Sequence, residues 1–71
     1  MALKITLDKE ADAAYIYLKE ISEGEVKKTI SLNDSLNVDL DLEGQILGIE
    51  ILNASRNLPL SSLNKTEVTN I

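Results

Sequence analysis

Hydrophobic and polar positions alternate along most of this chain, a period of two that marks strands buried on one face. Leu3, Ile5 and Leu7 alternate with Lys4 and Thr6, and the pattern stops at Asp8. Asp8 to Asp12 joins a capping residue to helix formers, which predicts one helical turn or a wide loop before the chain reverses. From Ala14 to Lys19 the alternation resumes, with Ala14, Ile16 and Leu18 on one face and Tyr15, Tyr17 and Lys19 on the other. Glu20 to Glu25, with Gly24, reads as a turn, and Val26 to Leu32 as a third strand. Leu36, Val38 and Leu40 alternate with Asn37, Asp39 and Asp41 in a fourth, and Glu43-Gly44 turns the chain into a fifth, Ile46 to Leu52. Arg56 to Leu63 offers one or two helical turns, with Pro59 in its permitted first turn and Leu60 and Leu63 three apart.

Opposed residues in a sheet point to the same face, so each loop length can be tested against the pattern. A two-residue loop at Glu43-Gly44 sets Leu42 against Gln45, Leu40 against Leu47, Val38 against Ile49 and Leu36 against Ile51, a clean aliphatic face. Treating Gly44 as a bulge would set Asp39 against Leu47, the less favourable register. A three-residue loop over Asn33 to Ser35 sets Ile30 against Val38, Thr29 against Asp39 and Lys27 against Asp41, and leaves Lys28 at the inner edge to snorkel outward. In the fifth strand Leu47, Ile49 and Ile51 share one face and Ile46 and Leu52 the other, so both faces want cover. The expected fold is mainly β (β-rich α+β), an antiparallel meander of four to five strands with a short C-terminal helical segment. Residues 1–63 form the single domain, and residues 64–71 a flexible polar tail.

With 71 residues there is room for one small core, and the 44% hydrophobic content, including twenty-three Leu, Ile and Val, is enough to build it. Such a core rarely supplies more than about 3–5 kcal/mol without disulfides or metal, so self-association as a homodimer or higher oligomer is the expected source of the missing burial. The absence of Cys and His removes thiol chemistry, zinc fingers and every imidazole relay. A net charge of −5 repels nucleic-acid backbones and anionic membranes. The first residues alternate where a signal peptide would run apolar, and no stretch is long enough to span a membrane. The expectation is a cytoplasmic chain with no nucleic-acid or membrane partner.

Asp39-Leu40-Asp41-Leu42-Glu43-Gly44, followed by Glu50, matches a calcium-binding EF-hand loop at positions 1, 3, 6 and 12. The flanking segments have strand periodicity where that site needs helices, so the glycine is better read as a hairpin residue. The preferred register still places Asp39, Asp41 and Glu50 on one face, with Asp39 opposite Gly48. These could form a solvated acidic face, a docking surface for a basic protein with Gly48 admitting another backbone, or a weak cation site serving a cation-dependent enzyme. Tyr15 and Tyr17 stand side by side and suit a sheet or subunit contact better than a nucleic-acid platform. The candidate partner-binding set is therefore Asp39, Asp41, Gly48, Glu50, Tyr15 and Tyr17. No catalytic residue, metal site or cofactor is expected.

Two segments carry a resemblance: Asp8-Lys9-Glu10-Ala11-Asp12-Ala13-Ala14-Tyr15-Ile16, and Val38 to Gly44 running on into Leu47 to Ser55. They resemble the small prokaryotic proteins of the domain of unknown function 2283 family, which read D-x-E-A-D-A-x-Y-I early and D-x-D-x-x-G-x-x-x-G-I-E-I-L-x-A-S later. The likeness covers about residues 3 to 60; Ala14 stands where a larger apolar residue is usual. It supports the fold and brings no activity, cofactor or catalytic residue. Members often lie beside toxin-like partner genes, so the resemblance implies an antitoxin-like or accessory protein-binding role. A structural homo-oligomer with no other ligand is the alternative.

Overall fold

The alternating segments become β1 (Lys4–Asp8), β2 (Ala13–Tyr17), β3 (Lys28–Asn33), β4 (Leu36–Leu40) and β5 (Ile46–Leu52) of a computed structural model that describes residues 3–59 and 68–70. A four-residue helix, α1 (Ala54–Asn57), follows, and β6 (Val68–Asn70) completes one sheet in the order β3-β4-β5-β2-β1-β6. The mainly β character, the antiparallel pairing of β1 to β5 and the short helical segment after them agree with the sequence pattern. β6 instead runs parallel to β1, Val68 beside Ile5 and Asn70 beside Leu7. The rest of the expected polar tail lies outside the described residues.

Consecutive strands are sheet neighbours except β2 and β3, and β5 and β6, so the strand order is not that of the expected meander. β2 pairs with β5, so β2 and the β3-β4-β5 run form a Greek key. The residues between β2 and β3 cross the ends of β5 and β4, tied by Leu18 N–H to the Leu47 carbonyl at 3.0 Å and by Lys27 N–H to the Leu40 carbonyl at 2.8 Å.

The helix begins earlier than the expected Arg56 to Leu63. Asn53, at φ 52°, turns the chain sharply out of β5, and α1 ends where Leu58 adopts φ −116° and ψ 143°. A residue before proline is pushed out of the helical region, so Pro59 terminates α1 where it was expected to open it. Leu60 and Leu63 fall outside the described residues.

The β3-β4 and β4-β5 hairpins depart from the expected loops, and each is brought back into register by a bulge. Gly44, at φ 83°, closes a tight turn with its N–H on the Asp41 carbonyl at 3.1 Å, and Asp41 N–H meets the Gln45 carbonyl at 3.0 Å. The loop is thus three residues, Leu42 to Gly44, with the glycine as its bulge. That sets Leu40 opposite Ile46, correcting the expected Leu40–Leu47 pair. A second irregularity at Leu47 restores Asp39–Gly48, Val38–Ile49 and Leu36–Ile51 as expected. In the β3-β4 hairpin the turn is Asp34-Ser35, and Leu32 is the extra residue that recovers Ile30–Val38 and Thr29–Asp39.

One sheet face is aliphatic. Leu7, Ala14 and Ile51 pack with Ala54 of α1, and Ile16, Leu36, Ile49 and Leu58 lie partly buried against them. Ile46, expected on the opposite face, opposes Leu40 and so joins this one, 49% exposed. Leu52, opposite Ala13, is half-buried on the polar face. α1 shelters only the end of the aliphatic face where β5 finishes.

Candidate functional site

The polar face is built by register. Across β2, β5, β4 and β3 one row reads Tyr17, Gly48, Asp39, Thr29, and the next Tyr15, Glu50, Asn37, Ser31. The Tyr15 ring leans diagonally over Gly48, where a Cβ would come within 2.6 Å of its Cζ. Its hydroxyl donates to Asp39 Oδ2 at 2.5 Å, and Thr29 Oγ1 donates to Asp39 Oδ1 at 2.6 Å. In the second row Asn37 Nδ2 donates to Glu50 Oε1 at 3.0 Å, and Ser31 Oγ donates to Asn37 Oδ1. The Tyr15 and Tyr17 rings lie 4.6 Å apart at 53°, with the Lys4 ammonium 5.3 Å from the Tyr17 centroid. Five of the six candidate residues thus meet on one face. The space above Gly48, considered as an approach for another backbone, is occupied by this chain's own Tyr15.

Asp41 is the sixth, and it is elsewhere. Its Oδ1 accepts Glu43 N–H and Gln45 N–H, both at 2.9 Å, so the carboxylate shapes the turn instead of joining Asp39 and Glu50. Among the described residues no three acidic side chains gather in a way that could hold a metal ion. An open depression of about 430 Å³ beside Tyr17 is lined by Lys4, Lys19, Glu20 and Ile21. Lys19 there is paired with Glu25, which lowers the Glu25 carboxyl below its ordinary value.

Burial pushes the Tyr15 phenol well above its ordinary 10.0, and the bond to Asp39 adds to the rise. The folded chain therefore favours neutral Tyr15. Its contribution is fully present below pH 10, the unfolded value, and is lost as pH climbs toward the folded one. Stability followed by denaturant titration is expected to fall above pH 10, and Tyr15→Phe to flatten that decline. An unchanged alkaline slope in the variant would contradict the assignment.

A second constellation is absent from the expected set. Asp8 Oδ1 accepts Glu10 and Ala11 N–H, both at 3.1 Å, and closes the β1-β2 turn. Asp12, at φ 52°, then receives α1: its carboxylate accepts Ser55 N–H at 2.9 Å and Ser55 Oγ at 2.7 Å, and its carbonyl accepts Ala54 N–H at 2.9 Å. Asn57 Nδ2 closes the other side on the Leu52 carbonyl at 2.9 Å. The partners are 43 residues apart, beyond any local spacing rule. The one hint was that both ends lie in the segments carrying the family resemblance.

A single Greek-key sheet, with one aliphatic and one hydrogen-bonded polar face and a short helix clamped to its first hairpin, is the class of protein these features define. The chain belongs to the family described as protein of unknown function (DUF2283), whose model matches residues 4–55. It is 46% identical over 56 residues to the uncharacterized protein MJ0789 of Methanocaldococcus jannaschii. That match covers 79% of this chain and 45% of the relative, so the chain spans less than half of that protein's length. No solved structure matches significantly.

Proposed function

We propose that this chain is a non-catalytic assembly and protein-binding module whose first partner is a second copy of itself. The observation that carries the reading is the open aliphatic surface toward the β3 side of the sheet. Val26, Ile30 and Leu32 are 37%, 38% and 63% exposed, while among the described residues only Leu7, Ala14, Leu47, Ile51 and Ala54 are buried apolar residues. Two of those five are alanines, so the protomer's core is thin and further burial has much to add. Sedimentation equilibrium at micromolar concentration is expected to give twice the 7.8 kDa chain mass. Ile30→Asp is expected to weaken the association at least about tenfold and leave a folded monomer by circular dichroism. A monomer throughout that range would overturn the reading.

An antitoxin-like role toward a basic protein is the second reading, supported by the net charge of −5 and by Asp39 and Glu50 sharing the polar face. It draws less support than self-assembly, because both Asp39 oxygens and one of Glu50 are already hydrogen-bonded within the chain.

A further inference from the structure

We infer that the depression beside Tyr17 is a binding site for a small carboxylate with an apolar body, its head held between Lys4 and Lys19. Register builds the floor: Lys4 of β1 lies opposite Tyr17 of β2, which sets its ammonium 5.3 Å from the ring centroid. The Tyr17 ring is braced by Tyr15, 4.6 Å away, whose hydroxyl is fixed on Asp39. The wall is the segment that leaves β2. Leu18 N–H holds it to the Leu47 carbonyl, and the Glu25 carboxylate joins the Lys19 ammonium to Ser22 N–H, the latter at 2.9 Å. Lys19 is thus held in place. Lys4 and Tyr17 belong to the polar face, so the site stands apart from the self-assembly proposed for the aliphatic one.

The class of ligand follows from the lining. A volume of about 430 Å³ lies within the roughly 300–1,000 Å³ of small-molecule sites. An ammonium carries three N–H donors. Glu25 takes one of those on Lys19, and the ring contact of Lys4 uses its charge and not its donors, so both groups can donate to a shared oxyanion. Glu20 lines the same space, and against two lysines it favours a head with one negative charge over a head with two. The Tyr17 ring and half-buried Ile21 offer an apolar surface to the rest of the ligand. The net charge of −5 opposes a polyanion here far more than a single carboxylate.

Phenylacetate is the probe, with acetate for the head alone, benzyl alcohol for the body alone and phenyl phosphate for a doubly charged head. In a proton–nitrogen correlation titration the amide shifts are expected to centre on Lys4 and on Tyr17 to Ile21. Phenylacetate should bind at least about fivefold more tightly than acetate or benzyl alcohol, and no less tightly than phenyl phosphate. Lys4→Gln and Lys19→Gln, both folded by circular dichroism, are each expected to raise its dissociation constant about threefold to fivefold. Shifts scattered over the surface, acetate equal to phenylacetate, or an affinity unchanged in both variants would overturn the site. Tighter binding of phenyl phosphate would overturn the choice of a carboxylate.

Discussion

Asp12→Ala is expected to lose about 2–4 kcal/mol of stability, seen as a large drop in the urea midpoint by far-ultraviolet circular dichroism. Two effects add. The carboxylate bonds to Ser55 N–H and Oγ disappear, leaving the start of α1 without its side-chain acceptor. Alanine must also hold φ 52°, a backbone region that Asp and Asn tolerate far better. A core of this size offers only about 3–5 kcal/mol in all, so the variant should keep only a small part of its stability and show a measurable unfolded fraction at ambient temperature. Asp12→Asn keeps the backbone tolerance and one acceptor, and should fall between the two. Ser55→Ala should lose about 1 kcal/mol, and almost nothing further when added to Asp12→Ala, because the same contact is already gone. An Asp12→Ala midpoint equal to that of the parent would show that the clamp holds nothing.

That clamp also marks the limit of reading the sequence by periodicity. Alternation located all five antiparallel strands, because each has one face buried or hydrogen-bonded and a period of two is the direct consequence. The Asp39–Gly48 and Asn37–Glu50 pairs were legible from aliphatic matching alone. Loop geometry was not, since a bulge at Gly44 and a second at Leu47 cancel, and a pattern read over the whole hairpin is blind to compensating shifts. Strand order was hidden as well. The alternation in β2 is satisfied equally by β3 or β5 as neighbour, and only the crossing segment between β2 and β3 decides it. For the site, shared face could be read from parity, but the direction of a side chain could not. Asp41 has the parity of Asp39 and still turns into the hairpin loop, because two backbone N–H groups there need an acceptor.

Gly48→Val is expected to have the second large effect, and it tests whether the polar face depends on the ring lying across it. No β-branched side chain fits beneath Tyr15, whose Cζ would be 2.6 Å from even the first added carbon. The ring must swing outward, since the alternative is displacement of the β5 backbone between its two partners, β2 and β4. Moving the ring breaks the phenol bond to Asp39 and leaves Thr29 as the one side-chain donor to that carboxylate among the described residues. Overpacking and the lost hydrogen bond together should remove about 2–4 kcal/mol. The same displacement exposes the phenol, so in whatever fraction stays folded Tyr15 should ionise nearer its ordinary value, and phenolate absorbance should rise at lower pH than in the parent. Tyr15→Ala in the Gly48→Val background empties the contested space and should recover part of the overpacking loss, although Tyr15→Ala alone is destabilising. Recovery in that double variant, judged by the urea midpoint, would separate a steric clash from a loss of glycine's backbone freedom; absence of recovery would place the effect in the β5 backbone.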